Sequence, residues 1–145
     1  MSQEMSEITS HYIPRKESGD KRKIVPGPEA NFTGRVLLDL AEQYKTDDPS
    51  DSPSIANVTF TPGARTAWHW HEKGQLIKVT TGLGWICDKG GKPRAIHEGD
   101  VIWCPPGVTH WHGADDNAIM SHFVFALGET KWFEKVSDEE YGAKK

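Results

Sequence analysis

Three histidines and one glutamine stand at spacings that suit a metal ion. One residue separates His69 from His71, and Gln75 follows four positions later. Side chains alternate along a β-strand, so His69 and His71 project from one face, and a modest bend at Gly74 lets Gln75 join them. A second stretch, Gly99 to His112 (GDVIWCPPGVTHWH), offers His110 as the missing ligand. An imidazole–amide set is neutral, so a divalent ion bound by it keeps its full charge. That makes the ion a stronger Lewis acid and supports its higher oxidation state less. The chemistry favoured is polarisation of a carbonyl, hydroxyl or bound water. Mn(II), Fe(II), Ni(II), Co(II) and Zn(II) all accept such ligands.

Two further histidines could move protons. His112 lies two residues after His110 and shares its strand face, whereas His122 sits among Met120, Phe123, Val124 and Phe125. Neutral imidazoles near pH 7 in an apolar barrel can shuttle a proton to or from a bound substrate. Each can also be read as a hydrogen-bonded core histidine. Thr66, three residues before His69, offers a hydroxyl for a substrate oxygen. His97, before a turn, is expected at the surface, and His11 lies in the N-terminal segment, apart from any site. Trp68, Trp70 and Trp111 have the opposite parity to the ligands and are expected on the outer sheet face or a dimer seam. Trp85 and Trp103 are expected in the core. Lys78 is expected to point outward, and Arg65 to form an outward ion pair rather than a substrate clamp.

Short strands between Gly/Pro turns must position these residues. The expected strands are Phe32 to Asp39, Ile55 to Phe60, one around His69, Leu76 to Thr81, Trp85 to Cys87, Arg94 to His97, Val101 to Cys104, Thr109 to His112 and Ala118 to Ala126. Gly82-Leu83-Gly84 is expected to separate two of them as a turn, and Ala41 to Ser54 to form a polar loop. Ser137 and Glu140 suit the capping box of a short closing helix. With almost no helical period, this is an all-β protein, and inward-converging ligands favour a jelly-roll β-barrel. The 145 residues divide into an N-terminal tail or arm, 1–30, and one barrel domain, 31–145.

The chain carries a net charge of −4, which gives no general basic surface for nucleic acid. The basic residues near Arg15 and Lys21 are expected to belong to a solvated tail. No run approaches the roughly 18 apolar residues of a membrane span. The N-terminal sequence lacks the apolar core of a secretory signal, so a cytoplasmic protein with Cys87 and Cys104 reduced is expected.

The two stretches carry a family signature. Gly63, His69, His71, Gln75 and Gly82 fit the first cupin motif, and Gly99, Pro105, Gly107 and His110 fit the second. Gln75 stands where the family usually has Glu, and Ala114 where it usually has Asn. The runs GARTAWHWHEKGQ, HWHGA and WFEKVSDEEY resemble small bacterial single-domain cupins that include manganese-dependent hydroxynitrile lyases. That resemblance spans about Phe32 to Tyr141. It implies a cupin barrel, Mn(II) as the first choice of metal, and His69, His71, Gln75 and His110 as ligands. It also implies that Thr66, His112 and His122 lie near the substrate, with Ala56 and Val58 shaping the pocket.

The function expected is a metal-dependent lyase of hydroxynitrile-lyase, decarboxylase or dehydratase type, with a pocket histidine as acid and base. Two alternatives stay open: an Fe(II)-dependent cupin dioxygenase, against which Gln75 weighs, and a metabolite-binding cupin without catalysis. The expected partner is a small hydrophobic or aromatic carbonyl or hydroxy compound, with no nucleic acid or membrane partner. A homodimer or dimer-based oligomer is expected, as the resemblance to small cupins implies, with the N-terminal arm and the outward tryptophans supplying the seam.

Overall fold

The alternation of short apolar runs with Gly/Pro turns becomes twelve strands and a closing helix in the computed structural model, which describes residues 24–40 and 48–144. His11, the basic residues near Arg15 and Lys21, and the first part of the polar loop lie outside the described residues. In order, the strands are β1 (Ile24–Pro26), β2 (Phe32–Thr33), β3 (Val36–Leu40), β4 (Pro53–Phe60), β5 (Arg65–Thr66) and β6 (His69–His71). They continue as β7 (Gln75–Asp88), β8 (Arg94–His97), β9 (Val101–Cys104), β10 (His110–Ala114), β11 (Met120–Leu127) and β12 (Thr130–Trp132). Helix α1 (Asp138–Gly142) closes the described chain. No described helix is long and apolar enough to cross a membrane.

All pairings are antiparallel, and β7 links two sheets. One runs β1-β3-β4-β11-β7-β9. The other joins the later half of β7 to β8 and β10, and β10 to β5 and β6. Two separate strands and a turn at Gly82-Leu83-Gly84 were expected here. A single 14-residue strand runs through instead. Gly82 takes φ +85°, and any Cβ there would strike the Ile119 carbonyl, so the strand bends at this point without ending. The β11 register also shifts between Ser121 and His122, a bulge that adds twist.

Two apolar clusters flank the second sheet. The barrel interior is filled by alternate residues of the long strands, among them Val58, Phe60, Ile77, Val79, Met120 and Val124. On the outer face, Trp68, Cys87, Trp111, Val136 and Tyr141 form a smaller cluster, with Trp85 packed against it. Trp68 and Trp111 therefore occupy the outer face, as their parity requires, but lie buried beneath the C-terminal segment. Ser137 caps α1 through the full capping box with Glu140. The Tyr141 hydroxyl donates to the Ala114 carbonyl at 2.6 Å, tying the helix to β10. Arg65 bonds Asp138 at 2.8 Å and stacks over Tyr141, so it is a structural clamp.

Other expectations shift in detail. Ile24–Pro26 pairs with β3, so this part of the expected arm is a sheet strand. The polar loop ends in a short 3-10 turn at Pro49–Asp51, and β4 begins two residues before Ile55. Trp103 was expected in the core but is 55% exposed. It lies on the outward side of β9, opposite Leu76, because Ile102 and Cys104 take the inward positions of that short edge strand.

Candidate metal centre and its pocket

The first motif folds as a strand, a tight turn and a second strand. His69 and His71 leave one face of β6, Glu72 to Gly74 reverse the chain, and Gln75 opens β7. Gly74 takes φ +91°, a conformation that costs other residues strain, and any Cβ there would meet the Trp103 ring. His110 opens β10 directly opposite His69. The result is one ring nitrogen each from His69, His71 and His110 within 4.8 Å of one another.

Hydrogen bonds set the ring orientations. The Nδ1–H of His69 donates to the Ala67 carbonyl at 2.8 Å, and that of His110 to the Val108 carbonyl at 2.9 Å. A carbonyl only accepts, so both neutral rings carry their lone pair at Nε2. His71 Nδ1 lies 3.0 Å from the Thr130 hydroxyl, and its buried Nε2 has no hydrogen-bond partner. His110 Nε2 lies 3.2 Å from Gln75 Oε1. Two acceptors at that distance share no proton, and a cation held between them, or a flip of the Gln75 amide, resolves the contact. The orphaned His71 nitrogen and this acceptor pair are what a divalent cation would satisfy.

Burial keeps the set neutral. It pushes His69 well below the ordinary histidine range, aided by His110 and His71, and takes His71 down to about 4. His110 is lowered by burial as well, against the opposing effect of its bond to Val108. Near neutral pH the lone pairs are free for a metal, which binds only deprotonated imidazole.

A cavity of about 240 Å³ opens from this cluster. His69, His71 and Gln75 line one part of it, with Thr66, His112 and His122 alongside. The remaining wall is apolar: Phe32, Leu38, Val58, Phe60, Val124 and Trp132, with Pro28 and Asn31 also lining it. His122 and His112 are joined by a 2.9 Å hydrogen bond between Nε2 and Nδ1, while His112 Nε2 and His122 Nδ1 have no partner. Burial lowers both, His112 strongly and His122 to about 4, and for His112 the neighbouring His122 adds to the effect. The Thr66 hydroxyl accepts the His112 backbone N–H at 3.2 Å, which leaves its own proton to donate elsewhere.

The structure therefore brings Thr66, His69, His71, Gln75, Val58, His112 and His122 to one cavity, with His110 in the adjoining cluster. Ala56 is buried in the barrel core and is not among the lining residues. His97 is exposed, as expected, and so is Lys78. Phe32, Phe60 and Trp132 were not anticipated at the site. Phe32 and Phe60 were legible only as inward strand positions, and Trp132 lies on a three-residue strand too short to show alternation.

Comparison with known proteins agrees with this geometry. The cupin domain model matches residues 56–126, which include both motifs. The (R)-mandelonitrile lyase of Granulicella tundricola is 45% identical over 121 residues, spanning 79% of this chain and 88% of that enzyme. The crystal structure of a cupin-like protein from Thermotoga maritima superposes with a TM-score of 0.74 at 33% identity, over 89% of this chain and 98% of the other. A polyketide cyclase from Streptomyces resistomycificus shares the fold alone, with a TM-score of 0.65 at 19% identity over 88% of this chain and 90% of the other. With its motif histidines gathered inside an all-β barrel, and near-half identity to most of a lyase that acts on a hydroxynitrile, this chain belongs to the cupin family.

Proposed function

We propose that the protein is a metal-dependent hydroxynitrile lyase that cleaves a small aromatic cyanohydrin to an aldehyde and hydrogen cyanide, with Mn(II) as the first choice of metal. The observation that carries this reading is the single cavity that adjoins a three-histidine cluster with Gln75, holds a histidine pair, and offers an apolar, partly aromatic wall. The 45% identity to (R)-mandelonitrile lyase supports the reaction class.

His69, His71, Gln75 and His110 would hold the cation, and a divalent ion bound there supplies Lewis acidity toward an oxygen-bearing substrate. The chain's own residues do the rest. Phe32, Phe60 and Trp132 hold the aryl group and exclude water. Thr66, with its oxygen already accepting from His112, donates its hydroxyl proton to a substrate acceptor. His112 Nε2 takes the proton of the substrate hydroxyl as the C–C bond breaks and the electron pair leaves with cyanide. Its Nδ1–H then donates to His122 Nε2, which steadies the transient imidazolium. Because burial makes that imidazolium strongly acidic, it returns the proton to cyanide.

The test is aldehyde release from (R)-mandelonitrile by metal-depleted protein reloaded separately with Mn(II), Fe(II) and Zn(II). Turnover above that of the free ions, lost on chelation, supports the reading. Oxygen uptake by the Fe(II) form without cyanide release would move the assignment to a dioxygenase. We also propose a homodimer. An apolar row on the outer sheet face, Ile55, Phe125, Leu76 and Trp103 in register, supports it.

A further inference from the structure

The three histidines are not held alike. His69 and His110 each donate Nδ1–H to a main-chain carbonyl two residues upstream, an acceptor that no side-chain substitution removes. His71 instead depends on a side chain, the hydroxyl of Thr130 at 3.0 Å from Nδ1. A hydroxyl both donates and accepts, so this partner admits either tautomer. If Thr130 donated, the His71 proton would sit on Nε2, which makes no hydrogen bond in the structure and belongs to the three-nitrogen cluster, so that nitrogen would be closed to a metal. If Thr130 accepts, Nε2 carries a lone pair and all three rings present lone pairs together.

Thr130 reaches His71 through register. β12 pairs with β6 so that Thr130 lies opposite His71 and Trp132 opposite His69. Directly opposed residues of an antiparallel pair share a face with their Cβ atoms close. The Trp132 ring accordingly packs on the His69 ring, with centroids 4.5 Å apart. A local clamp fixes the alignment: the Glu129 N–H donates to the Glu72 carboxylate at 3.0 Å, and the Glu72 N–H to the Glu129 carbonyl at 2.8 Å. Gly128 at φ +82° lets the chain turn into this strand directly against the Glu72 side chain.

We infer that Thr130 is a positioning residue for the metal centre, acting as the acceptor that holds His71 in its Nδ1–H tautomer. The inference rests on reading the histidine cluster as a metal centre. Thr130→Val keeps the branched shape and loses the oxygen, whereas Thr130→Ser keeps the oxygen. Partners of this kind alter metal affinity by roughly 10–100-fold.

The experiment titrates Mn(II) alone into the metal-depleted full chain and follows free Mn(II) by its spin resonance signal, with His71→Ala as reference. Circular dichroism melts check folding. Thr130→Val should bind Mn(II) about 10–100-fold more weakly, with Thr130→Ser close to wild type. Wild-type affinity in folded Thr130→Val would overturn the inference and leave the metal centre standing. Failure of the wild-type chain to bind Mn(II), with no rise in its melting temperature on adding Zn(II), would remove the metal centre, and the inference with it. Nitrogen-15 spectra of the histidine rings in the metal-free wild type give a second reading that needs no variant. A protonated Nδ1 on His71 supports the inference, and a protonated Nε2 overturns it.

Discussion

His112 Nδ1 and His122 Nε2 lie 2.9 Å apart inside the barrel, joined by one shared proton. Each ring also contacts Phe60 edge-on, His112 at 6.0 Å and His122 at 5.2 Å between centroids. Packing fixes both orientations, so a proton gained at His112 Nε2 is felt at His122. Residues that act as one unit lose their function together. His122→Phe, which keeps an aromatic ring in place, is expected to lower kcat by about 10²–10⁴ and leave Mn(II) affinity unchanged. The His112→Phe/His122→Phe double variant should lose no more than the worse single variant. Steady-state kinetics with a metal titration checks this, and two losses that multiply would make the histidines independent.

Stability of the metal-free protein should depend on pH through the same pair. Burial holds His122 at about 4 in the folded chain, against an unfolded value of 6.5. The unfolded chain therefore binds more protons between these values, and stability falls as pH falls. The contribution is fully present above pH 6.5 and is lost as pH drops through about 4, to an extent on the order of 3 kcal/mol. Urea midpoints of chelated protein between pH 4 and 8 should show this slope, with a shallower one in His122→Phe. Equal slopes would place the titration on other histidines.

Much of this site was legible in the chain because strand parity is a strict rule. His69 and His71 share a face whatever the tertiary context, and Gly74 marks the bend that delivers Gln75. Thr130 and Trp132 escaped notice for the opposite reason. Three residues after a glycine turn carry no periodicity, and only their register with β6 gives them a role. Trp103 misled because apolarity was taken for burial, whereas on an edge strand the two faces differ. The join of β7 was hidden by Gly82 and Gly84, which signal a turn in sequence but permit a bend within one strand.

The exposed ring of Trp103 gives the homodimer its test. It rests over Gly74 and extends the row formed by Ile55, Phe125 and Leu76. An apolar row of this kind on an open sheet face is a candidate for burial against a second copy. Trp103→Glu should shift the sedimentation coefficient from dimer to monomer while the melting curve of the barrel stays cooperative. A wild-type chain that sediments as a monomer at all concentrations would remove the proposal.

Gln75 should govern the balance between metal affinity and metal chemistry. The side chain is buried and meets His110 at 3.2 Å, with no cationic side chain among the other groups that line the cavity. A carboxylate placed there without a cation is an uncompensated buried charge, a change that destabilises by about 3–5 kcal/mol when a buried pair loses its partner. With a cation bound, the same carboxylate is neutralised and the complex gains an anionic ligand. Gln75→Glu is therefore expected to lower the melting temperature of metal-free protein and to show a larger rise on adding Mn(II) than wild type. Its turnover of mandelonitrile should fall, because the added negative charge weakens the Lewis acidity that the neutral set preserves. Paired melting curves and steady-state rates test both halves. Tighter Mn(II) binding with undiminished turnover would show that the neutral amide is not what tunes the centre.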